Sequence, residues 1–295
     1  MSASASVLAP AKINLFLRVL HKRSDGYHEL DTLFQAIALY DRVTVEISGT
    51  GVDLEVSGFD TGPDHQNLAL RAAQRLIAVA GVDIGVEIYL EKQIPVGSGL
   101  GGGSSDAAAV LHALAALHEG LAGGDRLRAI GTELGADVAF FLGESPLSRG
   151  LGRGDNLQAM PALPVANLVV VSPSLHSSTA AAYQALERPS REDARRWASE
   201  PLEVPSNWSE VKACARNDFQ DSITRQYPQV ARCLDMLTEA GASLVMLSGS
   251  GSSSFGFFPS GVRAKAVADD LDSQFGWRCL ATSTLDILPV PEVSA

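Results

Sequence analysis

The sequence predicts an α+β protein in two lobes, and three observations carry that expectation. The chain has 295 residues, more than the ~100–200 of one ordinary domain, so two lobes sharing a cleft is the natural arrangement. Short alternating segments are interleaved with helical ones through the first half. In the last third, the order strand, glycine turn, strand, helix, strand suggests a ferredoxin-like layer. Between these regions Met160 to Pro164, M-P-A-L-P, places two prolines in a short apolar linker, and the lobe boundary is set there, giving lobes at 1–160 and 161–295.

Taken in order, Val43 to Ile47 and Val52 to Val56 alternate apolar and polar residues around Ser48-Gly49-Thr50-Gly51. That pattern predicts a half-buried hairpin. Asn67 is placed to cap a helix running to about Ala80, with Leu76 and Ile77 on its inner face and Gly81 at C′. Gly85 to Glu91 is a strand with Val86, Ile88 and Leu90 facing in, and it leads into a glycine-rich loop. Ser104 or Ser105 can cap the next helix, whose Val110, Leu111, Leu114, Leu117 and Leu121 recur at helical spacing. A second helix starts at Asp125 and stops at Gly135, just before Asp137. In the second lobe Leu168 to Val171 is an apolar strand and Thr179 to Leu186 a short helix. Arg191 to Asn207 is a polar stretch without an assigned element. A helix over Val230 to Ala240, strands at Ser243 to Leu247 and Ser254 to Phe258, a helix over Val262 to Phe275 and a strand near Cys279 to Leu285 complete the chain.

Composition narrows the function. Hydrophobic residues make up 46% and charged residues 19%, the balance of a globular enzyme. A net charge of −11 argues against nucleic acid as a partner, because neutralising a phosphate backbone needs a basic surface. Small anionic ligands remain accessible to backbone N–H groups and a few placed cations. Cys214, Cys233 and Cys279 are widely spaced without a C-x-x-C pair, which fits free thiols in a reducing compartment. His21, His65, His112, His118 and His176 show no metal-ligand spacing and read as structural or solvated. Met1 to Leu8 lacks the features of a signal peptide, and no apolar stretch reaches the ~20 residues of a membrane span. The expectation is a cytoplasmic protein with no membrane partner.

The loop Pro95 to Asp106 reads P-V-G-S-G-L-G-G-G-S-S-D. Gly97, Gly99 and Gly102 satisfy G-x-G-x-x-G between a strand and a helix, but a dinucleotide site also needs a second parallel strand ending in an acidic residue. Here Gly123-Gly124 and another helix follow instead, and Glu119 lies on the end of the first helix. A P-loop is excluded because the loop holds no lysine. What survives is a phosphate cradle: glycines let the backbone approach a polyphosphate, the helix N-terminus offers unpaired N–H groups, and Ser104 and Ser105 add hydroxyls.

This loop resembles the ATP loop of the GHMP kinases, a superfamily that uses neither fingerprint. P-A-K-I-N-L-F-L at Pro10 to Leu17 resembles the first motif of that superfamily and L-S-G-S-G-S-S-S-F-G at Leu247 to Gly256 its third. The blocks S-D-G-Y-H-E-L-D-T-L-F-Q-A-I at Ser24, N-L-A-L-R-A-A at Asn67, G-A-D-V-A-F-F at Gly135, S-T-A-A-A-Y at Ser178 and N-D-F at Asn217 are similar to the branch whose acceptor is a cytidine-diphosphate-linked methylerythritol. The similarity spans most of the chain in the expected order. It implies a ribosomal-S5-like first lobe, a ferredoxin-like second lobe, a monomer or homodimer, and ATP-dependent phosphorylation of that acceptor's 2-hydroxyl on the non-mevalonate route to isoprenoid precursors.

The resemblance also implies roles. Lys12 and Asp137 meet across the acceptor hydroxyl, the aspartate as base and the lysine orienting it and stabilising charge. ATP lies on Pro95, Val96, Gly97, Ser98, Gly99, Leu100, Gly101, Gly102, Gly103, Ser104 and Ser105, with Mg²⁺ near Ser105. Asn14, Tyr27, His28, Ser248, Gly249, Ser250 and Gly251 bind the acceptor, Tyr27 stacking on the cytosine and His28 bonding its edge. On sequence alone Lys12 reads as a surface lysine, Asp137 as an N-cap, Tyr27 and His28 as a turn before an edge strand, and Ser248 to Ser253 as a tight turn. Lys12 and Asn14, two apart, share one strand face. Ala139 stands where the family commonly has proline. A ligand-binding protein without catalysis and a kinase for mevalonate phosphates or homoserine are the rival readings. Retention of Lys12, Asp137 and the serine-rich loop opposes the first, and the Tyr27-His28 block opposes the second.

Overall fold

Two long strands organise the first lobe. The computed structural model describes residues 3–121, 123–175, 177–186 and 205–294; His176 and residues 191–204 of the polar stretch lie outside them. β1 (Ser4–Lys22) runs antiparallel to β2 (His28–Ile47), with irregularities in register at Pro10/Ala11, Asn14/Phe16 and Val19/His21. Such bulges bend a strand and re-aim its side chains. From Ala9 to Val19 β1 is buried on both faces, so polar residues there need partners inside the protein.

β3 (Val52–Gly58), α1 (Leu68–Ala80) and β4 (Val86–Lys92) follow. Asn67 caps α1, its side chain accepting from Ala69 N, and Gly81 ends the helix at φ 66°. The hairpin expected over residues 43–56 does not form. β4 lies between β2 and β3, antiparallel to the first and parallel to the second. Val86, Ile88 and Leu90 of β4 are buried, whereas β3 exposes Asp53 and Glu55, so the more apolar strand takes the inner position. A parallel pair needs a crossover, and α1 supplies it. Gly85 passes against the 48–50 backbone, where a Cβ would meet Ser48 O at 1.9 Å.

α2 (Gly102–Leu117) begins one turn earlier than a serine cap would set it. Gly101, at φ 72°, is the N-cap, and Ser104 and Ser105 lie inside the first turn. Leu121 falls beyond the helix end but remains buried. α3 (Gly124–Leu134) and α4 (Ala136–Phe141) come next, so Asp137 sits in the first turn of α4, after Gly135 at the cap position. β5 (Leu147–Gly152) pairs with the first half of β2 and with β6 (Asn156–Ala159).

The second lobe holds β7 (Asn167–Ser172), α5 (Thr179–Ala185), α6 (Trp208–Cys214), β8 (Arg216–Asn217), α7 (Gln220–Gln226), α8 (Pro228–Glu239), β9 (Val245–Leu247), β10 (Ser254–Phe258), α9 (Gly261–Phe275), β11 (Arg278–Ser283) and β12 (Glu292–Ser294). Its antiparallel sheet has the order β11-β7-β10-β9, the ferredoxin-like arrangement expected from the sequence. Residues alternate along β7: Leu168 and Val170 pack with Ile13, Leu15 and Phe255 between the sheets, while Val169 and Val171 pack with residues of α8 and α9. β8 and β12 cross back to pair with β1 in the first sheet. Cys233 and Cys279 are buried free thiols, both pushed up to about 12 by burial.

Candidate active site

The glycine loop is held between the lobes. Ser248 Oγ donates to Gly99 O at 2.9 Å and Ser253 N to Ser98 O at 2.9 Å, while Lys12 N donates to Leu100 O at 2.9 Å. A Cβ on Gly99 would lie 2.1 Å from Ser248 O, and Gly99 has φ 82°, so both space and backbone require glycine. Pro95 to Gly99 and Gly101 to Ser104 line a cleft of 540 Å³. Leu100 and Ser105 turn inward instead, Leu100 into the core between the sheets. The open N-terminus of α2 faces the same cleft, a favourable place for anionic oxygens.

Lys12 and Asn14 project from one face of β1 into this cleft, with Ile13 and Leu15 on the other. The Lys12 side chain is only 5% exposed, and its Nζ donates to Asn14 Oδ1 at 2.8 Å. Asn14 Nδ2 donates to Thr32 Oγ1 and Thr32 Oγ1 to Phe16 O, each at 2.8 Å. Lys12 is thereby aimed, and Asp137 Oδ2 lies 3.5 Å from its Nζ. The ion pair is open to a ligand on one side, since Asp137 is 32% exposed.

The third glycine turn closes over the pair. Asn217 Nδ2 donates to Leu247 O at 2.9 Å and to Gly249 O at 2.8 Å, fixing the turn's shape. A Cβ on Gly249 would come within 3.3 Å of Lys12 Nζ. Gly249, Ser250 and Gly251 line the cleft, and the Ser250 hydroxyl is 3.0 Å from Thr179 Oγ1. Ser248 is fully buried and spends its hydroxyl on the glycine loop, so it joins the two turns rather than facing a ligand.

A larger cavity of 1290 Å³ opens beside the cleft, bounded by Tyr27 and His28 on one side and by α5 and α7 on the other. Tyr27 is 57% exposed, while His28 stacks on Tyr183 with centroids 4.8 Å apart. Tyr183 meets the edge of Phe219 at 4.8 Å. Its hydroxyl is pushed up to about 12 by burial and by the charge of Asp137, so it stays protonated and can donate.

Comparison with known proteins decides what this geometry belongs to. Residues 67–145 match the GHMP kinases N terminal domain and 190–276 the GHMP kinases C terminal domain. A 4-diphosphocytidyl-2-C-methyl-D-erythritol kinase of Syntrophotalea carbinolica is 41% identical over 95% of this chain and 99% of that protein. The chain belongs to the 4-diphosphocytidyl-2-C-methyl-D-erythritol kinase family of GHMP kinases. A relative of the same name from Geobacter sp. strain M21 is 38% identical over 95% of this chain and 98% of its own length. A crystal structure of a 4-(cytidine 5'-diphospho)-2C-methyl-D-erythritol kinase superposes with a TM-score of 0.75 at 36% identity, covering 95% of this chain and 98% of that one. A homoserine kinase from Cytophaga hutchinsonii reaches the same TM-score of 0.75 at 20% identity, over 99% of this chain and 97% of that one, and so shares the fold.

Several residues of this family member escape a sequence reading. Thr179 and Tyr183 stand four apart on α5 and line both the cleft and the larger cavity. Both belong to the S-T-A-A-A-Y block at Ser178, which with their i, i+4 spacing was the available signal, although neither was given a role from it. Beneath the glycine loop, Lys92 donates to Asp106 Oδ2 at 2.7 Å and to Asp41, whose Oδ1 also accepts from Gln93 N and Ile94 N. All three side chains are buried. Asp106 Oδ1 and Ser105 Oγ have no hydrogen-bond partner among the described residues. Burial raises Asp106 to about 8 despite Lys92, with Asp41 adding to the rise.

Proposed function

We propose that this chain transfers the γ-phosphoryl group of ATP to the 2-hydroxyl of 4-diphosphocytidyl-2-C-methyl-D-erythritol, on the non-mevalonate route to isoprenoid precursors. The observation that carries the reading is the position of the Lys12–Asp137 pair. It lies in the glycine-lined cleft, and the larger cavity opens beside it, so a hydroxyl held at the pair can face a nucleotide from one side and its own nucleobase end from the other.

The acceptor oxygen attacks the γ-phosphorus, the bond from that phosphorus to the β-bridging oxygen breaks, ADP leaves, and the hydroxyl proton passes to Asp137. Lys12, oriented by Asn14, sets the angle of Asp137 and offsets charge on the transferring group. A loose transition state asks mainly for positioning and charge, which suits a base that is already ion-paired. The glycine loop and the α2 N-terminus hold the triphosphate, and the turn at Gly249 to Gly251 closes the opposite side. Tyr27 and His28, with Tyr183 behind His28, take the cytosine.

Magnesium fits the same place. Beside its backbone N–H groups the α2 N-terminus presents the Ser104 hydroxyl to the cleft, and no cluster of three acidic, histidine or cysteine ligands occurs among the described residues. This is the usual arrangement for an ion held mainly by phosphates. Ser105, expected near the metal from the sequence, has a buried, unpartnered hydroxyl outside the cleft lining, whereas Ser104 faces the cleft. Mg²⁺ bound there with ATP would neutralise charge on the β- and γ-phosphates.

The test is an ADP-release assay with the cytidylyl acceptor beside mevalonate and homoserine. Turnover confined to the first is expected; no turnover with it, or preference for either of the others, overturns the assignment.

A further inference from the structure

The cleft and the larger cavity meet at a small junction. Among the described residues Leu30, Arg153, Thr179 and Tyr183 line both, and Arg153 is the one charged group of the four. It sits in the turn between β5 and β6, where Asp155 Oδ1 accepts from its backbone N at 3.1 Å and Oδ2 accepts from Nε at 2.9 Å and Nη2 at 2.6 Å. Its guanidinium carbon lies 5.1 Å from the centre of the Tyr27 ring. Asp155 therefore occupies one edge of the fork and Tyr27 one face. Among the described residues no hydrogen bond takes Nη1. Asp25 is the other carboxylate whose field reaches the guanidinium.

Among the described residues the other cations of the two cavities line one or the other but not both. Lys12 is paired with Asp137, Lys92 with Asp41 and Asp106, and Arg216 with Asp218; Lys22 and Arg225 line the larger cavity and not the cleft. A molecule with its base at Tyr27 and His28 and its reacting hydroxyl at Asp137 must lay its middle through the junction. In the substrate proposed above, on which this step rests, that middle is a diphosphate. A chain of net charge −11 needs a placed cation to receive it, and a guanidinium fork with a free edge matches phosphate oxygens.

We propose that Arg153 is a further substrate-binding residue, one that reads the diphosphate linking the two ends of the acceptor while its face steadies Tyr27.

Binding of CDP and of cytidine to the whole chain, measured by calorimetry for wild type, Arg153→Met and Arg153→Lys, tests this without turnover. Arg153→Met should weaken CDP by about tenfold or more, the size expected for one lost charge-assisted contact, and leave cytidine within about twofold. Arg153→Lys should keep part of the CDP preference. Equal losses for CDP and cytidine would reduce Arg153 to a support for Tyr27 and overturn the proposal, as would no loss for either, or no CDP preference in wild type. The kinetic counterpart is a raised KM for the cytidylyl acceptor with the KM for ATP unchanged. If wild type fails to phosphorylate that acceptor yet shows an Arg153-dependent CDP preference, the assigned reaction falls and the diphosphate site stands.

Discussion

Replacing Asp106 by asparagine should change how stability depends on pH, by an amount the buried Lys92 cluster sets. Two carboxylates share one ammonium there. Asp41 also receives two backbone N–H groups, at 2.5 and 2.8 Å, whereas Asp106 meets Lys92 and Asp41 itself and leaves its Oδ1 without a partner among the described residues. With both carboxylates ionised the cluster would bury a net negative charge, which is costly. Asp106 consequently keeps a proton up to about pH 8 in the folded chain but loses it near pH 4 when unfolded.

A folded value above the unfolded one gives stability that is complete below the unfolded value and is lost as pH rises towards the folded one. Between pH 5 and 7 the native state holds one extra proton, so wild type should lose about 1.4 kcal/mol per pH unit relative to Asp106→Asn. Over that interval the difference reaches about 3 kcal/mol, a large part of an ordinary folding free energy of ~5–15 kcal/mol. Urea unfolding of both chains at pH 5, 6 and 7 reads it directly, with the m-value as the check on two-state behaviour. Curves that stay parallel within about 0.5 kcal/mol would refute the protonated Asp106.

Other expectations follow from single contacts. Gly99→Ala should cost about 2–4 kcal/mol by chemical denaturation and raise the KM for ATP, because the new Cβ would meet Ser248 O at 2.1 Å on a left-handed backbone; wild-type values for both would mean the loop is not pinned there. Asn217→Ala removes two bonds to Leu247 and Gly249 and a third from Phe219 N, so a loss of about 2–3 kcal/mol is expected in the same assay, and a loss below about 0.5 would show the turn holds its shape alone. Ser105→Ala deletes an unpartnered buried hydroxyl that does not line the cleft; Tm should not fall, and the Mg²⁺ concentration for half-maximal rate should stay within about twofold. A several-fold rise in Mg²⁺ demand would return Ser105 to the metal's surroundings.

The fold was legible wherever one segment carries its own punctuation. Asn67 and Gly81 bracket α1 by local bonds, and the unbroken apolar run Leu168 to Val171 marks β7 as a strand packed on both faces. Partnership was less legible. Periodicity identified residues 43–47 and 52–56 as strands but could not say that β4 would separate them, since that depends on which strand is the most apolar. The serine cap failed for a similar reason: the chain enters α2 on a left-handed backbone packed against Lys12 and Phe141, which demands glycine, and Gly101 took the cap.

Within the site, motif blocks pointed to the loop, Lys12 and Asp137, and the fold brings those residues to one cleft. Lys92, Asp41 and Asp106 lie 51 and 14 positions apart in pairs and meet only through topology. Arg153 stood in no recognised block, and its importance rests on where two cavities join.

The role given to the ion pair is tested most directly by Asp137→Asn, with ATP binding and turnover of the cytidylyl acceptor measured on the same preparation. ATP binding near wild type with turnover reduced by several orders of magnitude is the expected result. Unchanged turnover would take Asp137 out of the chemistry and leave the Lys12–Asp137 pair as a structural contact.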